Sequence, residues 1–276
     1  MIRTFGGLAG SVVPAVILAF AGSVTATAAP GSSARSIAAR GFHGATTATH
    51  HPGRLHQALR WPTRARPLRL LITGDSLPGF LGPQVLSQLA PSGRVRGWTD
   101  VHNATGLTRP DFVDWSLVAR QQVARFSPEA TVVLLGGNDF QNMVLSNGHV
   151  LIAGTAAWTR EYARRVAVCM RIWTEGQATR RVYWLSLPPA RNPAWAFDFA
   201  QIDQAIRSAA RQVPGARYLD VLGPITLRGR YTDYVTIGGQ PTLIRESDGV
   251  HLNMAGSQLV ANEVVPVLRH DWHIGR

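Results

Sequence analysis

Lysine is missing from the sequence, and cysteine occurs only once. All 28 basic residues are arginines, and a bias this complete is typical of a GC-rich genome rather than of selection at individual positions. Because Cys169 is the only cysteine, the chain can form no intrachain disulfide, and we do not expect a cysteine-ligated zinc site. Cys169 lies in an apolar stretch with helical spacing, so we interpret it as a small buried hydrophobic residue.

Acidic residues are absent from residues 1–66, which carry seven of the arginines. Residues 67–276 therefore hold 21 arginines against 16 acidic residues, so most of the formal net charge of +12 belongs to the N-terminal part of the chain. No basic stripe interleaved with aromatic residues accompanies this charge, and we do not expect nucleic-acid binding. The charge suits an anionic envelope polymer or membrane surface, and a merely solvated tail is the alternative.

Residues 1–29 have the pattern of an export signal. Arg3 gives a positively charged start, residues 8–21 are mostly apolar, and the small residues that follow suit cleavage after Ala28 or Ala29. A proline and several glycines interrupt the apolar run, and an uncleaved membrane anchor is the alternative. We expect an exported protein, secreted or associated with the cell envelope, that meets a membrane only if this segment stays uncleaved.

Residues 30–66 are rich in small residues, proline, arginine and histidine without sustained periodicity, which predicts a disordered linker. Over residues 67–276, short apolar runs alternate with longer amphipathic ones, which predicts a single α/β domain with a parallel sheet flanked by helices. The predicted strands cover 68–73, 94–100, 130–136, 181–187 and 216–221, and the predicted helices cover 80–90, 111–126, 155–176, 196–213 and 254–269.

A candidate nucleophile follows the first predicted strand. The strand ends in a turn at Gly74 and Asp75, and Ser76 comes next, just before a helical pattern. In open α/β sheets this crevice binds ligands, and a helix N-terminus there favours developing negative charge. Ser76 is therefore a candidate nucleophile, with a helix cap as the alternative. We expect Asp75 to brace the turn by accepting backbone hydrogen bonds.

Three further stretches, 103–111, 136–139 and 247–253, lie where this architecture puts strand ends or the loops beyond them. A serine hydroxyl needs an adjacent base, and His251 is the candidate because imidazole titrates near neutral pH. Asp248, three residues earlier, can accept a hydrogen bond from Nδ1–H, fix the tautomer and stabilise the imidazolium. A local turn that caps the last helix is the alternative for this pair.

Candidate donors for an oxyanion complete the set. They are the backbone N–H groups of Ser76 and Gly106 and the side-chain amide of Asn138. Gly106 suits this role because its backbone, without a Cβ atom, can approach a substrate closely. Taken singly, Gly106 is typical of a turn and Asn138-Asp139 of a capped loop, with Asp139 bracing rather than reacting. The order and placement of all the stretches together indicate acyl transfer.

The four stretches resemble the blocks of the SGNH (GDSL-type) hydrolase superfamily: Gly-Asp-Ser-Leu at 74–77, a glycine at 106, Gly-x-Asn-Asp at 136–139 and Asp-x-x-His at 248–251. The resemblance spans about residues 68–270, and its second block depends on a single glycine. Residues 106–115 and 184–189 are similar to an exported bacterial subgroup whose members mostly lack an assigned substrate. The resemblance implies a flavodoxin-like three-layer α/β/α sandwich with a central parallel sheet.

Carried over position by position, the resemblance implies Ser76 as the nucleophile, His251 as the base and Asp248 as its orienting partner. It also implies an oxyanion hole made by Ser76, Gly106 and Asn138, and no metal or organic cofactor. We expect an exported serine esterase that removes acetyl or another short acyl group from an acylated carbohydrate, a cell-wall polymer or a related ester. The alternatives are an O-acyltransferase that passes the acyl group to a sugar hydroxyl and a non-catalytic envelope-binding protein.

Two arginines and one long connection are candidates for substrate recognition. Arg109 and Arg245 flank the blocks and can hold an anionic or sugar-ring substituent, with structural salt bridges as the alternative. The stretch 223–247 is long for a connection inside a compact domain, and such loops are often functional lids. We therefore expect substrate selection in that stretch.

Overall fold

The structure is a computed structural model of the chain, and it describes residues 59–275. The predicted export signal, residues 1–29, and residues 30–58 of the predicted linker lie outside the described residues. Within residues 59–275, no helix combines the length and the apolar character needed to cross a membrane.

All five predicted strands and all five predicted helices are present. The strands are β1 (Leu68–Gly74), β2 (Val95–Val101), β3 (Ala130–Leu134), β4 (Met143–Val144), β5 (Val150–Leu151), β6 (Arg181–Leu185), β7 (Ala216–Leu219), β8 (Tyr234–Ile237) and β9 (Gln240–Leu243). The helices are α1 (Leu81–Leu89), α2 (Trp115–Phe126), α3 (Ala156–Thr174), α4 (Pro193–Gln212) and α5 (Met254–Asp271). Strands β4 and β5, and strands β8 and β9, form two short antiparallel hairpins that the sequence analysis did not predict.

The five predicted strands form one parallel sheet in the order β2-β1-β3-β6-β7. Helices α1 and α5 pack against each other in one outer layer, and α2, α3 and α4 pack in a row in the other. This is the predicted flavodoxin-like three-layer α/β/α sandwich.

The core lies where the sheet is covered on both faces. Every residue of β3 is buried, as its apolar run predicts for a central strand of a parallel sheet. Burying one side chain the size of valine or leucine contributes about 1.5–3 kcal/mol, so such a strand is a large part of the stability. Cys169 of α3 is buried as well, and this burial raises the pKa of its thiol to about 12, which leaves the thiol unreactive.

Two helices begin at other residues than predicted, because the residues at their N-terminal ends set where the first turn begins. Helix α2 begins at Trp115, later than predicted, because the Asp114 side chain accepts hydrogen bonds from the N–H groups of Ser116 and Leu117. Helix α4 begins earlier than predicted, at Pro193, because proline is tolerated in the first turn of a helix.

The carboxyl ends of the first three strands lie level with one another. Gly74 of β1 pairs with Val101 of β2 on one side and with Leu134 of β3 on the other. A Cβ atom at Gly74 would lie 1.8 Å from the Leu134 carbonyl oxygen, so this close approach needs glycine. The segments after the three strands therefore leave the sheet side by side, and they carry three candidate site residues.

Residues 59–66, the last part of the predicted linker, pack onto the domain. Leu59 contacts the hydrophobic core, and Arg60 forms an ion pair with Glu129 and donates a hydrogen bond to the Pro67 carbonyl at 2.7 Å. Partial burial raises the pKa of Glu129, but the hydrogen bonds and charges of Arg60 and Arg69 outweigh it and hold the pKa below the usual range. The domain therefore begins earlier than the predicted boundary at residue 67.

Candidate active site

A buried carboxylate holds the turn that presents Ser76. Asp75 Oδ1 accepts a hydrogen bond from the Leu77 N–H at 2.9 Å, and Oδ2 accepts from the N–H groups of Gly136 and Gly137 at 3.0 and 2.9 Å. Burial raises the pKa of Asp75 to about 6, although these three hydrogen bonds oppose the shift. The bracing role predicted for Asp75 is confirmed, and the contacts join the end of β1 to the loop after β3.

The candidate base lies next to Ser76, although 175 positions separate the two residues in the sequence. The Nε2 atom of His251 is 2.7 Å from Ser76 Oγ, and its Nδ1 atom is 2.5 Å from Asp248 Oδ2. With Nδ1 protonated and donating to the carboxylate, the lone pair of Nε2 faces the hydroxyl and can accept its proton. The structure thus brings together the three residues that the sequence analysis combined.

The other carboxylate oxygen of Asp248 holds its own loop. Oδ1 accepts hydrogen bonds from the N–H groups of Val250 and His251 at 2.8 and 3.0 Å. Partial burial raises the pKa of Asp248, but these bonds and the one from the His251 ring outweigh it, so the pKa lies below the usual range. Asp248 is therefore ionised at neutral pH and can stabilise a protonated imidazole.

The two outer candidate donors, Gly106 and Asn138, are connected by the peptide between Thr105 and Gly106. Asn138 Nδ2 donates a hydrogen bond to the Thr105 carbonyl at 3.0 Å, and Trp115 Nε1 donates to Thr105 Oγ1 at 3.1 Å. The C=O and N–H groups of a trans peptide point in opposite directions, so holding the Thr105 carbonyl also sets the direction of the Gly106 N–H. Two other segments of the chain thus orient this candidate donor.

A contact with Asp139 also requires glycine at position 106. A Cβ atom at Gly106 would lie 2.1 Å from Asp139 Oδ1. Asp139 is buried, and it accepts hydrogen bonds from the Thr108 N–H at 2.9 Å, the Thr108 hydroxyl at 3.0 Å and the Tyr162 hydroxyl at 2.8 Å. Burial raises the pKa of Asp139 above its usual range.

Asp139 therefore braces its loop, as the sequence analysis predicted. Its two partners, Thr108 and Tyr162, were not predicted from the sequence. Tyr162 lies on α3 at a position that follows the helical spacing of the other core residues. Nothing in the sequence connects it with a carboxylate 23 positions away. Thr108 lies within the predicted stretch 103–111, but only Gly106 and Arg109 were singled out there.

Both arginines suggested for substrate recognition have partners within the protein. Arg109 is exposed and forms a two-point ion pair with Asp111, with N–O distances of 2.9 and 2.7 Å, so the salt-bridge alternative describes it. Arg245 is 1% exposed and donates to the carbonyls of Val250 and Ile225, both at 3.3 Å. The prediction of Arg245 as a substrate-binding residue is wrong, because its guanidinium is closed off from solvent.

The predicted lid stretch, residues 223–247, is built around the β8–β9 hairpin rather than an open loop. The Ile244 N–H donates to the Asp233 carbonyl at 2.9 Å, and the Asn253 N–H donates to the Ile244 carbonyl at 3.1 Å. These bonds join the hairpin to the segment that carries the candidate base. A role of this stretch in substrate selection stays a prediction.

A cleft of about 910 Å³ lies beside the segment that follows Gly106, and its lining includes none of the three triad candidates. Five of its six charged side chains pair with one another, Arg109 with Asp111 and both Arg164 and Arg165 with Glu161, and the sixth, Asp114, caps α2. The cleft therefore adjoins the candidate oxyanion donor but is separate from the nucleophile.

Sequence comparison identifies the family of the chain. Residues 69–267, well over half of the chain, match the model of a family described as "Protein of unknown function (DUF459)". No functionally curated protein matches the chain.

Several solved structures have a similar fold. A carbohydrate esterase family 3 protein from Talaromyces cellulolyticus gives a TM-score of 0.52 at 13% identity, over 76% of this chain and 100% of that one. A carbohydrate acetylesterase family member from Sinorhizobium meliloti gives 0.50 at 17% identity, over 75% and 100%. The lipase/acylhydrolase from Enterococcus faecalis gives 0.50 at 13% identity, over 76% and 100%. At these identities the likeness shows the fold alone. The chain therefore belongs to the DUF459 family and has the fold of the SGNH (GDSL-type) hydrolases.

Proposed function

We propose that the chain is an exported serine esterase that removes acetyl or another short acyl group from a cell-envelope glycan or a related ester. The observation that carries this proposal is the hydrogen-bonded line from Ser76 Oγ to His251 Nε2, at 2.7 Å, and from His251 Nδ1 to Asp248 Oδ2, at 2.5 Å. Such a line supplies the nucleophile, the base and the orienting carboxylate that serine catalysis needs.

In the first half of the proposed reaction, Ser76 Oγ attacks the ester carbonyl carbon while His251 Nε2 takes the hydroxyl proton. The negative charge that develops on the carbonyl oxygen is held by the N–H groups of Ser76 and Gly106 and by the Asn138 amide hydrogen that does not bond to the Thr105 carbonyl. Each such donor is typically worth about 3–4 kcal/mol in barrier height. The tetrahedral intermediate then collapses, His251 gives its proton to the departing alcohol, and the acyl group stays on Ser76.

In the second half, water replaces the alcohol. His251 Nε2 takes a proton from the water as its oxygen attacks the acyl carbon, and the same donors hold the second oxyanion. Collapse of this intermediate returns the proton to Ser76 Oγ and releases the carboxylic acid. Throughout, Asp248 keeps the imidazole oriented and stabilises its protonated form.

Support for an acylated carbohydrate comes from two kinds of observation. Two proteins with a similar fold carry the names carbohydrate esterase and carbohydrate acetylesterase. The triad candidates also lie near the surface, with the side chains of His251 and Asp248 32% and 48% exposed, which suits an ester carried on a bulky polymer. The export signal predicted at residues 1–29 would deliver the enzyme to the cell envelope or beyond.

The test is hydrolysis of p-nitrophenyl acetate and of acetylated sugars by the wild type and by S76A. We expect S76A to lose about 10³-fold or more in kcat, because triad residues act as a unit. S208A, which changes a serine of α4 away from the site, is the matched control and should keep wild-type activity. Full activity in S76A, or failure of Ser76 to react with a fluorophosphonate probe, would contradict the proposal.

Product analysis separates hydrolysis from transfer. In the presence of an acyl donor and a glycan, an esterase yields free carboxylic acid, whereas an O-acyltransferase yields the newly acylated glycan. Free acid as the main product supports the esterase. An acylated glycan as the main product would keep the chemistry of Ser76 and replace water by a sugar hydroxyl.

A further inference from the structure

We propose that Arg191, Tyr231 and Arg245 form a clamp that holds the loop of residues 246–251 in the position from which its histidine reaches Ser76. This loop, called the base loop below, carries both Asp248 and His251. The inference rests on the proposed function, because it assigns positioning residues to the same candidate triad.

The base loop closes on itself through main-chain bonds. The Glu246 N–H donates to the His251 carbonyl at 2.9 Å, and the Gly249 N–H donates to the Glu246 carbonyl at 3.1 Å. The carbonyls of Ser247, Asp248, Gly249 and Val250 are left out of these bonds. Gly249 is buried and Val250 half-buried, so their carbonyls need donors from the rest of the protein.

Arg191 supplies two of these donors. Its backbone N–H donates to the Gly249 carbonyl at 2.8 Å, and its Nη1 donates to the Ser247 carbonyl at 3.0 Å. Its Nη2 is held by Asp233 Oδ1 at 2.7 Å, which fixes the guanidinium in place. The loop packs directly on this residue, because a Cβ atom at Gly249 would lie 2.7 Å from Arg191 Cβ.

Arg245 supplies the third donor from inside the protein. Its Nη1 donates to the Val250 carbonyl at 3.3 Å, and residue 245 bridges to Leu252 directly after the loop. Burial lowers the pKa of Arg245 to about 10, so it stays protonated at neutral pH. Its Nε is buried without a hydrogen-bond partner among the described residues. A cation buried with so few partners is costly, and its two hydrogen bonds join the base loop to the Ile225 carbonyl.

One aromatic ring connects the two arginines. The guanidinium carbons of Arg191 and Arg245 lie 5.6 and 4.8 Å from the centre of the Tyr231 ring, within range of cation–π attraction. The Tyr231 hydroxyl donates to Asp233 Oδ1 at 2.6 Å, on the same carboxylate oxygen that holds Arg191. Replacing the Arg191 side chain removes the donor to the Ser247 carbonyl and the contact with the Tyr231 ring, while the backbone N–H still donates to the Gly249 carbonyl. The Ser247 side of the base loop is then unsupported, which allows the imidazole to tilt away from Ser76.

The experiment compares R191A with R207A, which is a matched control. Arg207 also lies over a tyrosine ring, that of Tyr218 at 4.4 Å, and also pairs with an aspartate, Asp220 at 3.6 Å. Within the described residues it makes no hydrogen bond to the base loop. Both substitutions thus remove a cation from a tyrosine ring and an ion pair with an aspartate, and only R191A also removes a hydrogen bond to the base loop.

We expect R191A to lower kcat for p-nitrophenyl acetate by about 10- to 100-fold with KM changed less than about twofold, because a displacement near 1 Å is enough for such a loss. R207A should keep the wild-type kcat. R191K retains the charge but not the forked donors, so its kcat should lie between those of R191A and the wild type, and it replaces R191A if the alanine variant does not fold. A kcat of R191A or R191K equal to that of R207A would overturn the proposal, and so would a loss confined to KM.

A proton resonance tests the clamp without any substrate. The Nδ1 proton of His251, held in a bond of 2.5 Å to Asp248, should give a far-downfield signal in the wild type and in R207A. In R191A this signal should broaden or disappear, and its persistence unchanged would overturn the clamp. If the wild type hydrolyses no ester, the proposed function fails, whereas the resonance still decides whether Arg191 positions the imidazole.

Discussion

The two sides of the candidate site are held by contacts of opposite kind. On the nucleophile side, buried carboxylates accept hydrogen bonds from backbone N–H groups beyond the strand ends: Asp75 after β1 and β3, Asp139 after β2, and Asp203, whose oxygens accept from the Leu187 N–H after β6 at 3.0 and 3.2 Å. On the base side, arginines donate to the carbonyls of the loop of residues 246–251. The first set is buried, whereas the base loop is partly exposed.

The difference follows from which backbone groups are left unpaired. A chain that turns at the carboxyl end of a parallel strand leaves N–H groups without ladder partners, and a buried carboxylate can accept two or three of them. The base loop uses its N–H groups internally and leaves carbonyls free, so it needs donors instead. The charge of the supporting side chains is thus set by the backbone: negative beside the nucleophile and positive beside the base.

The largest expected effect is on the base side, where a substitution should lower kcat strongly and leave the free energy of unfolding almost unchanged. In D248N the imidazole loses its acceptor and adopts the other tautomer, so we expect kcat for p-nitrophenyl acetate to fall by about 10⁴-fold. Because Asp248 is partly exposed, the free energy of unfolding should change by less than about 1 kcal/mol. Steady-state kinetics and urea unfolding check the two values. A D248N enzyme that unfolds easily would contradict the division between the two sides.

On the nucleophile side, the loss of a carboxylate should act on folding. D75A leaves the N–H groups of Leu77, Gly136 and Gly137 buried without an acceptor, and we expect it to lower the free energy of unfolding by about 3–5 kcal/mol. D75N keeps one acceptor oxygen and should lose less. Urea unfolding of both variants beside D248N measures the difference. Equal stabilities of D75A and D248N would remove the basis of the comparison.

The pH dependence of stability should differ in sign between the two sides. Burial raises the pKa of Asp203 to about 7, so the native state holds this proton more tightly than the unfolded state does. This contribution to stability is present at low pH and is lost as the pH rises to about 7, by up to about 4 kcal/mol. The pKa of Asp248 is lowered instead, so its contribution is lost as the pH falls.

D203N isolates the first of these contributions. Its amide oxygen can still accept the Leu187 N–H but does not titrate, so the fall in stability between pH 4 and 7 should become smaller than in the wild type. Urea unfolding over this pH range provides the measurement. If D203N and the wild type show the same dependence on pH, Asp203 is not the group responsible.

The smallest effect is expected outside both sides of the site. Arg109 and Asp111 form an exposed pair with side chains 51% and 63% exposed, so R109A should change the free energy of unfolding by less than about 0.5 kcal/mol. We also expect unchanged kcat and KM with simple esters. A clear rise in KM with an acetylated glycan would give Arg109 the substrate-binding role that the sequence first suggested.

Much of the fold could be predicted because its core strands carry strong local signals. The apolar run of β3 predicts a buried strand, and the helical spacing of α3 predicts a helix with one buried face, whatever the neighbouring segments are. The two hairpins were missed because β4 and β5 have two residues each and β8 and β9 are largely exposed, so no apolar alternation marks them. Arg245 was misinterpreted because a lone arginine beside a motif has the same appearance whether it faces solvent or the core.

The sequence by itself determined the strand-turn-serine order at Ser76 and the Asp248-His251 turn, because both depend on local hydrogen bonds and on hydrophobic spacing. It also determined the order of strands and helices that makes the parallel sheet. Only the tertiary structure decided that His251 Nε2 lies 2.7 Å from Ser76 Oγ and that Arg191 and Arg245 hold the base loop. The reason is physical: these contacts join segments far apart in the chain, and their geometry is set by packing rather than by any local preference.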